Sequence, residues 1–210
     1  MSEFPRLAPR RWLSGVGHAA VAGPATPGIK SGVRAMIRDG FGLATVLARR
    51  GASDALNRRV QERFGIDLPH GPRRSAASGV VFAGTGPGAW LVLTERDEGG
   101  DCHEFAARLS SELDGVGSVS DQSDGHALIR LSGACVRETL AKLIPIDVHA
   151  RAFEVGQVAS TVAAHVGVTL WRLPDEAQEA AVFEVLMFRS LARSFWHALA
   201  EAAGEHGFSG

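Results

Sequence analysis

Apolar residues recur along this chain with two spacings. Some segments have an apolar residue at every second position, which is typical of a strand with one buried face. Others have one at every third or fourth position, which is typical of an amphipathic helix. Residues 33–38 and 43–49 are predicted strands, and Asp39-Gly40 between them tolerates the positive φ of a hairpin turn. The chain is therefore expected to begin its fold with a β-hairpin.

A predicted helix follows this pair of strands, and the same order then occurs again. Ser53 is placed to cap the first helix, and Gly65 can end it in a left-handed conformation. Residues 80–83 and 90–94 are the next two predicted strands, joined by the hairpin loop 84–88. The apolar face of the first helix consists of Leu56, Val60 and Phe64, and that of the second consists of Cys102, Phe105, Leu109 and Leu113. The second helix is expected to begin at a capping box of Asp101 and Glu104 and to end at Gly115.

The second half of the chain has a similar succession of elements. Residues 117–120 and 126–131 are predicted strands around the turn 121–125, and residues 158–171 alternate throughout, which predicts one long strand. Residues 181–188 are another predicted strand. In the strand over residues 126–131, Ala127, Ile129 and Leu131 are expected to be buried, and His126, Leu128 and Arg130 are expected on its other face. The expected buried positions of the helices are Val136, Leu140 and Leu143 in a short helix, and Leu191, Phe195, Leu199 and Ala202 in a last helix capped by Ser190.

Two similar halves, each with paired strands followed by a helix, predict an α+β fold of two ferredoxin-like lobes. The lobes are expected at about residues 33–115 and 116–210. Residues 1–32 are rich in glycine and contain Pro24 and Pro27, so they are expected to form a flexible N-terminal arm. The domain organisation predicted is thus an arm and one α+β domain over residues 33–210.

Composition excludes two broad classes of protein and favours a cytoplasmic one. No stretch approaches the length of apolar sequence that a membrane helix needs, and 45% hydrophobic residues are too many for a disordered chain. Cys102 and Cys135 form neither a disulfide framework nor a metal motif, as is usual in a reducing compartment. Arg10-Arg11 outlines a twin-arginine export signal, but glycines and His18 interrupt the apolar region that should follow.

Charge is unevenly distributed, although the net charge is only −1. Residues 1–75 carry a net charge of +8 and residues 76–210 carry −9. This gradient fits two parts of one domain that neutralise each other, a docking face for an acidic protein, or a nucleic-acid surface. Nucleic-acid binding is disfavoured because the arginines are dispersed and have no interleaved aromatic residues.

Candidate sites for chemistry are weak when the residues are considered alone. Residues 15–20 match the dinucleotide pattern G-x-G-x-x-A, but no predicted strand precedes them. Residues 23–31 resemble a phosphate loop only loosely, because Pro24 and Pro27 lack the N–H donors it uses. The histidines have no metal-binding spacing, and His165 is the best single candidate, with a structural role favoured over a catalytic one. We predict no catalytic, cofactor-binding or metal-binding residue.

The tryptophans are candidates for packing and for contact with other proteins. Trp90, Trp171 and Trp196 are expected to be half-buried, and an indole is also a common anchor at protein interfaces. Trp196 is rotated about 100° from Phe195 on a helix, towards the edge of the predicted apolar stripe. All three are therefore candidate interface residues.

Four short stretches, in order and spacing, resemble the gamma subunit of heterotetrameric sarcosine oxidase over about residues 33–205. They are residues 86–91, residues 121–133 with Asp121-Gln122-Ser123-Asp124-Gly125, residues 145–149 with Pro145-Ile146-Asp147-Val148-His149, and residues 189–196 with Arg189-Ser190 and Phe195-Trp196. The resemblance implies a fold like the folate-binding domain of the glycine-cleavage T-protein. It also implies a chain that helps an oxidoreductase complex to assemble and is not itself catalytic.

The resemblance also implies partners and cofactors. The partners would be the alpha, beta and delta subunits, and FAD, FMN, NAD and tetrahydrofolate would be bound by those subunits and not by this chain. The complex would oxidise the N-methyl group of sarcosine and pass the one-carbon unit to tetrahydrofolate. The alternatives are a free-standing folate-binding aminomethyltransferase-like domain and a subunit of a related N-methyl amino acid dehydrogenase.

Overall fold

The computed structural model describes residues 32–94, 102–176 and 180–210, except the side chains of Cys102, His103 and Glu176. Within these ranges the chain is a mixture of strands and helices, so the predicted α+β class is confirmed. In chain order the elements are β1 (Val33–Arg38), β2 (Leu43–Ala48), α1 (Ser53–Phe64), β3 (Arg74–Ala77), β4 (Val80–Gly86), β5 (Ala89–Thr94), α2 (Cys102–Glu112), β6 (Gly117–Asp121), β7 (His126–Gly133), α3 (Val136–Leu143), β8 (Val158–Ala163), β9 (Val166–Glu176), β10 (Ala180–Phe188), α4 (Ala192–Ala203) and β11 (Phe208–Ser209).

The strands form two sheets. Sheet A has the order β11-β1-β7-β10-β9-β8, and sheet B has the order β3-β4-β5-β2-β6. Neighbouring strands are antiparallel in both sheets except for β1 and β11, which are parallel. The antiparallel pairing is what short connections between consecutive strands require.

Each sheet and its helices have the ferredoxin-like arrangement of strand, helix, two strands, helix and strand. In sheet B these elements are β2, α1, β4, β5, α2 and β6, with β3 added at the edge. In sheet A they are β7, α3, β9, β10 and α4. The last strand of this arrangement, which pairs with β7, is β1 from the start of the fold. The ferredoxin-like lobe of residues 43–121 is thus inserted between β1 and the rest of the other lobe.

The predicted hairpin of β1 and β2 is wrong, because these strands belong to different sheets. Gly40 does have a positive φ of 76°, as expected for a turn, but this turn leads the chain from sheet A to sheet B. The two sheets also cross the predicted lobe boundary near residue 115, since β1 lies in sheet A and β6 in sheet B. Strand pairing of this kind depends on contacts distant in sequence, which alternation does not reveal.

The elements stack in four layers, with helices outside and the two sheets facing each other. Helices α1 and α2 cover the outer face of sheet B, and α3 and α4 cover the outer face of sheet A. Among the described residues, no helix is both long and apolar enough to cross a membrane. Between the sheets lies an inter-sheet core of Leu43, Val81, Ala83, Leu93, Leu128, Val158, Trp171, Leu173, Val182 and Leu186.

This layering explains why both faces of β7 are buried. Ala127, Ile129 and Leu131 pack under the helices of sheet A, as predicted. Leu128 was expected on the polar face, but it is only 3% exposed because sheet B covers that face. Sandwiched sheets bury residues on both sides of a strand, so simple alternation is lost.

The predicted long strand over residues 158–171 is wrong. It is a hairpin, in which β8 and β9 pair from Ala163 and Val166 outwards. Ala164 and His165 form the turn with φ values of 46° and 70°, the left-handed values of a tight hairpin turn. Neither is a glycine, an asparagine or an aspartate, so the usual turn signal is missing from the sequence.

The ends of two helices also differ from the predictions. Ala52, not Ser53, holds the N-cap position of α1, and Gly65 ends the helix with φ of 69° as expected. A 3-10 turn over Arg189–Leu191 precedes α4, whose N-cap is Leu191 and not Ser190. Leu191 is 38% exposed, and the buried side of α4 instead consists of Ala192, Phe195, Trp196, Leu199, Ala200 and Ala203.

Some predictions concern residues or side chains that the structure does not describe. They are the flexible arm, apart from Gly32, the motifs within residues 10–31, the capping role of Asp101 and the place of the Cys102 side chain on the apolar face of α2.

Candidate functional site

The clearest concentration of charge in the described residues surrounds Glu184 on β10. Its carboxylate is buried, and it points to the same side of sheet A as the inter-sheet core. Trp171 Nε1 donates a hydrogen bond of 2.8 Å to Glu184 Oε2. Arg130 donates two hydrogen bonds to Oε1, from Nη2 at 2.8 Å and from Nε at 3.1 Å, and Arg38 Nη1 lies 3.5 Å from the same oxygen. Both carboxylate oxygens are therefore occupied.

Strand register explains why these side chains meet. Met36 pairs with Arg130, Arg130 with Glu184, and Glu184 with Trp171, so they form one row across β1, β7, β10 and β9. Paired residues of neighbouring strands point to the same face, which brings their side chains into contact. The cluster is thus assembled by sheet A from strands that are far apart in sequence.

The charges of this cluster do not balance. Two guanidinium groups face one carboxylate, and the side chains of Arg38 and Arg130 are 24% and 25% exposed. Arg34 lies two residues from Met36 on the same face of β1, and it is exposed. The edge of the inter-sheet core at β1 therefore carries excess positive charge that can reach solvent.

The sequence signal for this cluster was one acidic residue in an otherwise apolar strand. Glu184 lies within Ala180–Phe188, a strand whose other residues are apolar. A buried carboxylate needs hydrogen-bond donors and a counter-charge, so this position required partners. Arg38 and Arg130 could not be identified from the sequence, since pairing with them depends on register in sheet A.

A second charged cluster ties the loop after α3 to the outer face of sheet A. Arg172 is buried, donates to Phe153 O at 3.1 Å, and makes two bonds of 2.9 Å to the carboxylate of Asp175. Arg137 lies over the ring of Phe183, with 5.5 Å from Cζ to the ring centroid, and donates to Val148 O at 2.7 Å. Burial and the charge of Arg172 lower the pKa of Arg137. These contacts hold the loop in place.

The Asp121–Gly125 turn has a structural role. Ser123 is buried; its Oγ accepts a hydrogen bond of 3.0 Å from Leu43 N and donates to Asp121 Oδ1 at 2.7 Å. The turn thereby fixes the start of β2 against the connection between β6 and β7. This agrees with the interpretation of these residues as turn chemistry.

His126 follows this turn and lies at the edge of the face of sheet A that carries Glu184. Its ring centroid is 4.8 Å from that of Phe188, and Nδ1 is 3.3 Å from Gln122 O. Burial lowers the pKa of His126, and the Gln122 carbonyl opposes this change. The neutral imidazole is therefore the form that the fold favours.

A groove of about 510 Å³ lies beside the hairpin of β4 and β5. It is lined by the residues of two loops and by Trp90, whose Nε1 donates to Pro69 O at 3.2 Å. The lining residues are Pro69, His70, Gly71, Pro72, Thr85, Gly86, Pro87, Gly88 and Trp90. The 84–88 segment is the end of a hairpin, as predicted, and the lining of the groove contains no Asp, Glu, Lys or Arg.

The structure does not bring the three candidate interface tryptophans together on one surface. Trp90 is 7% exposed in the core of sheet B, and Trp171 is 1% exposed in the inter-sheet core. Trp196 is 9% exposed and packs edge-on against Phe208 at 5.5 Å between ring centroids. All three are buried within the chain, so the expectation that they are half-buried is wrong, and their contact with partner subunits stays a prediction.

His165 lies in the exposed turn between β8 and β9. None of the described residues forms a group of three or more His, Cys, Asp or Glu that could hold a metal ion.

The chemistry that this chain can perform at Glu184 is charge pairing and recognition of anions by the partly exposed arginines.

Comparisons with known proteins identify the family. The model of the sarcosine oxidase, gamma subunit family matches residues 49–205, which is well over half of the chain. The chain belongs to the sarcosine oxidase gamma subunit family. The resemblance noted from the four sequence stretches is thereby confirmed.

Individual relatives agree with this family. The chain is 32% identical over 117 residues to sarcosine oxidase subunit gamma from an Arthrobacter species, a match that covers 54% of this chain and 55% of that one. It is 33% identical over 121 residues to the subunit of the same name from Corynebacterium sp. strain P-1, covering 56% and 57% of the two chains. The matches span about half the length of these curated relatives.

Solved structures share the fold. A chain in the structure of heterotetrameric sarcosine oxidase from Corynebacterium sp. U-96, in complex with pyrrole 2-carboxylate, matches with a TM-score of 0.76 at 22% identity, covering 95% of this chain and 96% of that one. The glycine cleavage system aminomethyltransferase T from Bartonella henselae matches with a TM-score of 0.60 at 13% identity, covering 84% of this chain and 50% of that one. The predicted likeness to the T-protein fold is therefore confirmed.

Proposed function

We propose that this chain is the gamma subunit of a heterotetrameric sarcosine oxidase and that it assembles or stabilises the complex without taking part in its chemistry. The structural match to a chain of such a complex carries this proposal, because it extends over 95% of one chain and 96% of the other. The partners are the alpha, beta and delta subunits, and the complex works in the cytoplasm.

In this proposal the other subunits bind FAD, FMN, NAD and tetrahydrofolate. They oxidise sarcosine to glycine and transfer the one-carbon unit to tetrahydrofolate. The buried Glu184 favours a role for this chain in assembly or stabilisation, since Trp171 and two arginines already occupy both of its carboxylate oxygens. A carboxylate held in this way acts as a fixed counter-charge to the two arginines.

Co-purification tests the proposal. A tagged copy of this chain is co-expressed with the untagged alpha, beta and delta subunits of the proposed complex, and the tag is used to recover the complex. We expect retention of the large subunits, with all flavin absorbance and sarcosine-dependent activity in the complex, and a colourless, inactive chain when it is expressed alone. Failure to retain the large subunits, or stoichiometric flavin in the lone chain, would contradict the proposal.

The fold match to aminomethyltransferase T favours one second candidate, a free-standing folate-binding aminomethyltransferase-like domain. Such a domain would need an acidic residue available to the pterin ring. Among the described residues Glu184 is the buried acid, and a ligand would have to displace Trp171 or an arginine from it. Titration of the lone chain with tetrahydrofolate in a calorimeter distinguishes the two, because saturable binding of one equivalent supports this second candidate only. A related N-methyl amino acid dehydrogenase would be recognised from the substrate preference of the purified complex.

A further inference from the structure

One side of β1 extends beyond the area that sheet B covers. Ala35 and Ile37 point towards the helices of sheet A and belong to that core. Arg34, Met36 and Arg38 alternate with them and point to the opposite side, the side of the inter-sheet core. There Arg34 is exposed and Met36 is 47% exposed, so sheet B does not cover these two side chains.

This surface, which we call the β1 face, comprises Arg34, Met36, Arg38 and Arg130. Register places Met36 directly beside Arg130 of β7. Arg38 and Arg130 share Glu184 as their acidic partner, and Arg34 makes no side-chain hydrogen bond or ion pair with any described residue. Three guanidinium groups therefore face a single carboxylate, and Asp39 is the nearest further acid along β1, in the exposed turn after Arg38.

Glu184 gives this face a fixed geometry. The guanidinium of Arg130 is held through two donors by a buried carboxylate that also accepts the indole N–H of Trp171. Arg130 and Arg38 still expose about a quarter of their side chains, so donors remain for an anion in solution. Arginines that are held in place in this way lose less conformational entropy when they bind a carboxylate.

The same side of sheet A also exposes apolar surface. Phe188 is 56% exposed and lies on β10 in line with Glu184 and Leu186, paired with His126 of β7. Met36 and Phe188 are thus exposed apolar side chains on the side of sheet A that carries the inter-sheet core. Exposed apolar side chains on the same face as fixed arginines are the composition expected of a protein-protein interface.

We propose that the β1 face docks an acidic surface of one of the larger subunits, an inference that rests on the proposed function. Charge complementarity favours an acidic partner, since the face has more guanidinium groups than carboxylates. The N-terminal residues 1–31 would not neutralise it, because their net charge is +3. A second copy of the chain is disfavoured because a twofold contact would set the same arginines against each other. A nucleic acid would need a longer basic track than three arginines beside Met36 and Phe188.

The test measures the affinity of full-length variants of this chain for the complex of the large subunits. Arg34→Glu reverses a charge that has no partner within the described chain, and Met36→Ala removes exposed apolar surface. We expect Arg34→Glu to weaken binding at least about 10-fold and Met36→Ala about 3-fold or more. Affinity of the wild-type chain should also fall between about 50 mM and about 500 mM NaCl, because exposed ion pairs are screened.

Matched controls keep the result specific to this face. Arg58→Glu makes the same charge change on the exposed side of α1, and Leu47→Ala removes a side chain that is 48% exposed on sheet B. Both should bind within about twofold of the wild type, since neither position belongs to the β1 face. Thermal unfolding of each lone variant shows whether it folds as the wild type does.

The outcomes separate the inference from the proposed function. If the wild-type chain does not bind the large subunits, the proposed function fails and the docking face fails with it. If the wild type binds and Arg34→Glu and Met36→Ala bind equally well, only the docking face is wrong. The docking face is also wrong if Arg34→Glu abolishes RNA binding measured by fluorescence anisotropy or abolishes a dimer of the lone chain in sedimentation, because RNA or a second copy then occupies the face. A lower melting temperature of the lone Arg34→Glu chain would contradict it as well, because another part of the same chain then covers the face.

Discussion

Glu184 is expected to hold the inner side of sheet A together, and truncating it should destabilise the chain strongly. Glu184→Ala removes the acceptor of the Trp171 indole N–H, which is buried with its residue only 1% exposed. A buried donor without a partner costs about 1–3 kcal/mol. The two arginines lose their counter-charge as well, but their partial exposure allows water to replace it, which limits this contribution to about 1 kcal/mol.

The expected loss for Glu184→Ala is therefore about 2–4 kcal/mol in the free energy of unfolding. For a chain of this size it corresponds to a fall of very roughly 8 °C in melting temperature. Urea unfolding of the lone chain, followed by tryptophan fluorescence and by circular dichroism, measures it. Glu184→Gln retains an oxygen acceptor for Trp171 and should lose clearly less, and Glu62→Ala on the exposed side of α1 should leave the unfolding midpoint unchanged.

A double-mutant cycle tests the reasoning more sharply. Trp171→Phe removes the N–H donor, and Glu184→Ala in that background should cost about 1 kcal/mol less than it does in the wild type. The reasoning is refuted if Glu184→Ala is no more destabilising than Glu184→Gln, or if the effects of Glu184→Ala and Trp171→Phe simply add. Either result would mean that the indole N–H does not depend on this carboxylate.

Three further predictions concern other parts of the fold. Ser123→Ala should cost about 1–2 kcal/mol of unfolding free energy because the Leu43 N–H loses its acceptor, whereas Ser118→Ala, at an exposed position of β6, should cost nothing measurable in the same urea titration. Burial lowers the pKa of His126 below 6.5, so the unfolded chain binds a proton at this imidazole more readily than the folded chain does. The neutral imidazole therefore contributes to the stability of the fold, and this contribution is complete above about pH 6.5 and is lost as the pH falls towards the folded pKa. Unfolding midpoints at about pH 7.5 and about pH 5.5 should therefore differ more for the wild type than for His126→Gln, and equal differences would contradict this. Replacing Ala164-His165 by Asn-Gly should raise stability by about 1 kcal/mol, since both positions have positive φ; a lower melting temperature would show that the turn is not strained.

Local sequence determined most of the helices and strands. The helix Ser53–Phe64 ends at Gly65 as predicted, because its apolar spacing and a residue that accepts positive φ are both local signals. The β4–β5 hairpin follows from the glycines and proline between its strands. The four stretches that resemble the sarcosine oxidase gamma subunit also lie within short runs of sequence, and they led to the family that the family model confirms.

Only the tertiary structure decided how these elements combine. The place of β1 beside β7, the burial of Leu128 and the meeting of Arg38, Arg130 and Glu184 depend on pairing between strands far apart in the chain. The turn at Ala164 escaped prediction for a related reason, since contacts in sheet A impose positive φ on residues that do not favour it. Periodicity reports which side of an element is apolar, whereas the neighbour that covers that side is chosen by long-range packing, and so the layers and the charged cluster between them could be seen only in the folded chain.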